Sequence, residues 1–141
     1  MNTHVPFMIP EEVRAPLNRI AVPQSIPANT VLFRLGDPVQ GVYLIHSGTV
    51  ALSLPNAVEP PRITGPGAVL GIPASICDRP YSLTAETLEP VEAGFISRED
   101  FVAVVRQDPD LCFAVIASVA EALADTRRQA SALLGQFATL E

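Results

Sequence analysis

The sequence predicts a mainly β domain, a sandwich or barrel with flanking helices, and three observations carry that reading. Fourteen prolines and eight glycines fall mostly before position 95. Proline is excluded from helix interiors and central strands, so this first part must be short segments divided by turns. Apolar residues there alternate with a period of two, whereas after Ile96 proline and glycine become rare and the apolar spacing turns helical.

Taken in order, residues 11–20 read as a short helix or turn, with Val13, Leu17 and Ile20 on one face and Pro16 limiting its length. From Ile26 the period is two. Val31, Phe33 and Leu35 alternate with Leu32 and Arg34, residues 42–46 form a VYLIH strand, and Val50, Leu52 and Leu54 alternate with Ala51 and Ser53. Further strands are expected at 62–64, 82–88 and 91–96. Between them stand Gly36-Asp37, Ser47-Gly48, Pro55-Asn56 and Pro66-Gly67, dipeptides that accept positive φ or preset a turn. Ser97 with Asp100 three residues on resembles a capping box, and Asp108-Pro109 sets a second helix start, with aspartate capping and proline where its missing N–H costs nothing.

In that second helix Cys112, Ile116, Val119, Leu123, Thr126, Ala130, Leu133, Phe137 and Leu140 follow a 4,3 spacing throughout. A 3.5-residue period favours pairing with another helix, so a homodimer through Ile116, Val119, Leu123, Ala130, Leu133 and Phe137 is expected. The same face could instead pack on the β domain, because the many alanines make several registers apolar.

Composition removes several function classes. With 141 residues the chain is one domain, and 48% hydrophobic against 17% charged residues gives it a core. All nine basic residues are arginine, so Schiff-base, pyridoxal phosphate and lysine-dependent phosphate-loop chemistry are excluded. The net charge is −6, and from Glu99 to Glu141 seven acidic residues face three arginines, which argues against direct DNA binding. Cys77 and Cys112 form no motif with each other or with His4 and His46, so neither a metal site nor a disulfide is expected. No signal peptide and no run of about 20 apolar residues is visible, which makes a cytoplasmic protein without a membrane span the expectation.

Residues 27–52, PANTVLFRLGDPVQGVYLIHSGTVAL, resemble the first half of a cyclic-nucleotide-binding domain of the kind found in catabolite-activator-type (Crp/Fnr) regulators. The matching residues are Pro27, Leu32, Phe33, Gly36, Asp37, Val42, Tyr43, Ile45, Ser47, Gly48 and Val50, and residues 65–71, GPGAVLG, resemble the approach to the family's phosphate cassette. The resemblance implies a double-stranded β-helix (jelly-roll-like) barrel with a long C-terminal helix: an N-terminal arm and helix over 1–20, a β-roll over 21–97 with the cassette at 70–85, and helices over 98–141. It also implies a regulatory, non-enzymatic sensor, without the DNA-binding domain of its relatives and working through a separate effector protein.

In that family a short helix after Gly-Glu presents N–H groups to the cyclic phosphate, and an arginine completes the neutralisation. Here Gly71 matches, but Ile72 stands at the glutamate position and Tyr81 at the arginine position. Candidate ligand contacts are therefore Gly71, Ile72, Pro73, Ala74, Ser75, Tyr81, Ser82 and Thr84, with Thr126 and Arg127 from the last helix. Arg79 is either a substitute anchor or an outward turn residue. Ile72 and Tyr81 either shape a pocket for another small molecule or fill it. No cofactor is expected beyond a cyclic nucleotide or such a ligand. Cys77 is either a redox or haem position or an inert small residue, and Glu86, Glu89 and Glu92 read as solvated.

Overall fold

The structure, a computed structural model, describes residues 9–54 and 60–120. The elements run α1 (Glu11–Ile20), β1 (Val22–Ile26), β2 (Val31–Phe33), β3 (Gly41–Ser47), β4 (Val50–Ser53), β5 (Arg62–Thr64), β6 (Val69–Leu70), α2 (Ile72–Cys77), β7 (Thr84–Thr87), β8 (Val91–Ser97) and α3 (Arg98–Gln107). Residues 109–120 form a further helix, α4.

The pairing follows one rule. β1 lies antiparallel to β8, β2 to β7, β3 to β6 and β4 to β5, so the chain is a long antiparallel ribbon folded back on itself. Winding that ribbon makes two four-stranded sheets, β1-β8-β3-β6 and β2-β7-β4-β5. This is the jelly-roll arrangement expected from the sequence, with one correction: the sheets stand as two open layers and do not close into a barrel.

Two cores result. Between the sheets lie Ile26, Ile45, Leu70, Val91 and Ala93 from one layer and Phe33, Val50, Leu52 and Ala85 from the other. The outer face of the first sheet, with Val42, Leu44, Val69 and Ile96, is covered by Leu17 of α1, Ile72 of α2, Phe101 and Val105 of α3, and Leu111 and Val115 of α4. Burial on both faces explains why β3 reads as an apolar run, since inward Tyr43 and Ile45 interleave with outward Val42 and Leu44. Among the described residues no helix covers the second sheet, and Ile63 and Glu86 on its strands are exposed.

The caps behave as their residue types require. Ser97 Oγ accepts from Asp100 N at 3.3 Å, and Asp108 Oδ1 accepts from Leu111 N at 3.1 Å. Arg14 donates to the carbonyls of Ile9 and Gly67, which clips the N-terminal arm to the turn before β6.

Some boundaries differ from the sequence reading. β1 begins at Val22 and includes Pro23, which is tolerated because β1 is a sheet edge. Leu35 is 43% exposed and lies past the end of β2, and Leu54 lies past the end of β4. Strand β6, only two residues long, gave no alternation to read. The helical face toward the core consists of Leu111, Val115 and Ser118; Cys112 and Val119 are half-buried beside it, and Ile116 is 60% exposed. The remaining seam positions, Leu123, Thr126, Ala130, Leu133, Phe137 and Leu140, lie outside the described residues, as do Arg127 and the Pro55-Asn56 turn.

Candidate functional site

The candidate site forms where α2, the loop between β2 and β3, and the start of β7 meet. Gly71 caps α2 with φ +96, a left-handed conformation that favours glycine. Space requires it as well: a Cβ there would lie 2.8 Å from the Gly41 carbonyl oxygen and 3.2 Å from Tyr81 Cε1. Among the first residues of α2, Pro73 has no N–H, so only Ile72 and Ala74 can donate ahead of Ser75, whose N–H bonds Gly71 O at 3.1 Å.

Tyr81 is the centre of the site. It is 4% exposed and its ring stacks on Phe33, with centroids 4.0 Å apart and planes 13° apart. Its hydroxyl donates to Gly41 O at 2.8 Å and accepts from the N–H groups of Gln40 and Gly41, both at 3.2 Å. Its backbone holds the same loop, since Tyr81 N donates to Asp37 O at 3.0 Å and Gly36 N donates to Tyr81 O at 2.8 Å. A phenol has one proton to give and two lone pairs to accept with, so this hydroxyl is saturated.

The other sequence candidates are spread around this point. Ile72 is fully buried in the outer core beside Val42 and Phe101, on the opposite side of the sheet from the Tyr81 ring. An apolar side chain at the turn out of Gly71 follows the apolar surface. Ala74 faces the inner core, and Ser75 is fully buried with an Oγ that has no partner among the described residues. Ser82 is exposed. Thr84 Oγ1 accepts from Leu35 N at 3.0 Å, so this hydroxyl holds the loop. Arg79 is exposed after α2, and Cys77 is exposed as a free thiol. Asp78, at φ +52, faces the Arg98 guanidinium at 3.5 Å, tying the end of α2 to the start of α3. Glu86, Glu89 and Glu92 are exposed.

Beside Tyr81 a recess of about 130 Å³ is lined by Phe33, Tyr43, Leu32, Asp37 and Gln40. A water takes about 30 Å³ of liquid and drug-sized ligands occupy sites of about 300 Å³ or more, so this recess is small for a nucleotide. Burial pushes the Tyr43 phenol above its ordinary pKa, and the neighbouring Tyr81 pushes it the same way. Among the described residues no cluster of histidine, cysteine and carboxylate side chains could hold a metal, and no helix is long and apolar enough to cross a membrane.

Sequence reasoning missed Gly41, Gln40 and the Phe33 ring as partners of Tyr81. The available signal was Gly41 itself, a small residue heading an apolar strand, where a Cβ would meet Ile96 O at 2.0 Å.

Comparison with known proteins places this architecture. The family model for the cyclic nucleotide-binding domain matches residues 23–108. A cyclic nucleotide-gated potassium channel of Mesorhizobium japonicum, mll3241, is 31% identical over 106 residues, covering 75% of this chain and 27% of that protein. The catabolite activator protein of Thermus thermophilus superposes with a TM-score of 0.67 at 28% identity, over 92% of this chain and 60% of that one. The c-di-GMP responsive regulator CLP of Xanthomonas campestris shares the fold with a TM-score of 0.69 at 21% identity, over 89% of this chain and 65% of that one. This chain therefore spans about a quarter of the channel and under two-thirds of either regulator. Its jelly roll, its glycine-capped α2 and the match over most of the β-roll make it a member of the cyclic nucleotide-binding domain family.

Proposed function

We propose that this is a regulatory, non-catalytic domain whose phosphate cassette is degenerate and does not hold cyclic AMP or cyclic GMP tightly. The observation that supports this reading is the buried hydroxyl of Tyr81, saturated by Gly41 and Gln40, on a residue that the resemblance puts at the family's arginine position. A cyclic phosphate there meets neutral donors only, and Pro73 removes one of those. The loss of a charge-assisted contact is worth about 1.5–3 kcal/mol. Ile72 supplies no carboxylate for a ribose hydroxyl.

The second part of the reading is a homodimer formed through the last helix. Phe113 and Ile116 are 78% and 60% exposed on α4, opposite the core-facing Leu111 and Val115. Large apolar side chains three residues apart on one exposed helix face favour a partner helix, and the 4,3 spacing that continues to Leu140 suits a second copy.

Native mass spectrometry of the purified chain tests both parts at once. The expected spectrum is a dimer at the bare polypeptide mass. A retained cyclic nucleotide would contradict the first part, and a monomer at micromolar concentration the second.

A further inference from the structure

The cassette reading leaves open what the space beside α2 is built to hold, and its geometry has the features of a binding site. One wall is the flat face of Phe33, parallel to the Tyr81 ring at 4.0 Å. At the cap of α2, the missing side chain of Gly71 leaves room for the Tyr81 ring, since a Cβ would come within 3.2 Å of its Cε1. The far end is polar and specific. It offers one acceptor, Gly41 O, and two donors, Gln40 N and Gly41 N, which match the one proton and two lone pairs of a phenol. Apolar walls with a few convergent polar groups at one end are the usual make-up of a small-molecule site.

We propose that Tyr81 is the domain's built-in ligand: the space between Phe33, Gly41 and Gly71 is a phenol-binding site that the chain fills with its own side chain. This rests on the reading that the cassette holds no cyclic nucleotide, and adds what occupies the site instead. Because the occupant is covalently attached, its effective concentration is fixed and high, and the site is filled whatever small molecules surround the protein. The consequence reaches the loop over residues 36–41, which Tyr81 holds at its backbone through Asp37 and Gly36 and at its hydroxyl through Gln40 and Gly41. The loop is held in one arrangement as long as Tyr81 is seated.

Amide hydrogen exchange followed by NMR on the full chain tests this. Tyr81→Phe keeps the ring and removes the hydroxyl. The Gln40 and Gly41 amides should then exchange at least about tenfold faster while amides of the β3–β8 ladder stay unchanged. In Tyr81→Ala, added phenol should saturably slow those two amides and raise the melting temperature, whereas toluene should raise the melting temperature without slowing them. Unchanged exchange in Tyr81→Phe overturns the proposal, as does toluene protecting the two amides as well as phenol does. If Tyr81→Ala does not fold, the Tyr81→Phe result decides alone. Cyclic AMP added to the unmodified chain checks the underlying reading separately: saturable change at these amides in the micromolar range overturns that reading, whatever phenol does.

Discussion

The hydroxyl of Tyr81 donates to the carbonyl oxygen of Gly41 at 2.8 Å and accepts from the N–H of the same residue at 3.2 Å. One side chain thereby satisfies both polar groups of the first residue of β3, forty positions away in sequence. The bare backbone at Gly41 is required by the strand beside it, because a Cβ there would lie 2.0 Å from Ile96 O on β8. The obstacle is backbone and cannot rotate away. Gly41→Ala should therefore cost about 3 kcal/mol or more, read as a lower urea midpoint at unchanged slope. A loss under about 0.5 kcal/mol would show that β3 and β8 can separate locally at no cost.

Thr87 closes the turn between β1 and β2. Its buried hydroxyl donates to Pro27 O at 2.7 Å and accepts from Thr30 N at 2.9 Å. Thr87→Val preserves shape and removes both bonds, so destabilisation of about 1–3 kcal/mol is expected by denaturant unfolding.

Tyr43 links stability to alkaline pH. Burial first, and then Tyr81, raise its pKa above the ordinary 10.0, so the folded chain keeps a proton that the unfolded chain releases above pH 10. The unfolded state then binds fewer protons, and stability falls as pH rises. The contribution is fully present below pH 10 and disappears as pH climbs through the raised folded value. Thermal melts at pH 9 and 11 should show a decline that Tyr43→Phe reduces; an identical decline in the variant would remove Tyr43 from the account.

Two faces of α4 should respond differently to charge. Val115 is buried in the outer core and Phe113 is 78% exposed. Val115→Asp should unfold the domain or cost more than about 3 kcal/mol, because a carboxylate would be buried without a partner. Phe113→Glu should leave the melt nearly unchanged and weaken self-association in sedimentation experiments. Unaltered association in Phe113→Glu and Ile116→Glu would assign this face a role other than pairing.

The fold was readable where one physical constraint dominated a segment. Turn glycines at 36, 48 and 67 adopt positive φ, and Ser97 and Asp108 cap their helices because their oxygens meet orphan N–H groups. The sequence reading contains no strand at 22–26, since Pro23 looks like a strand breaker until the strand is known to be an edge. In the site, Tyr81 stands out because the resemblance puts it at the family's arginine position, but nothing in the sequence names its partners. Gln40 and Gly41 contribute backbone atoms, which carry no side-chain signature in a sequence. The resemblance leaves Ile72 either shaping or filling a pocket, and only the two-sided burial of the first sheet shows that an apolar residue there belongs to the outer core. A glutamate at that position would enter the apolar layer of Val42 and Phe101, so Ile72→Glu is expected to destabilise the domain.

Whether Tyr81 takes the place of the phosphate-binding arginine is decided by calorimetric titration of cyclic AMP into the unmodified chain, with Tyr81→Arg measured beside it. The account predicts no saturable binding by the unmodified chain tighter than about 1 mM, and at least about tenfold gain in Tyr81→Arg, where a guanidinium can meet the phosphate. Saturable binding by the unmodified chain with a dissociation constant in the micromolar range or tighter would contradict it.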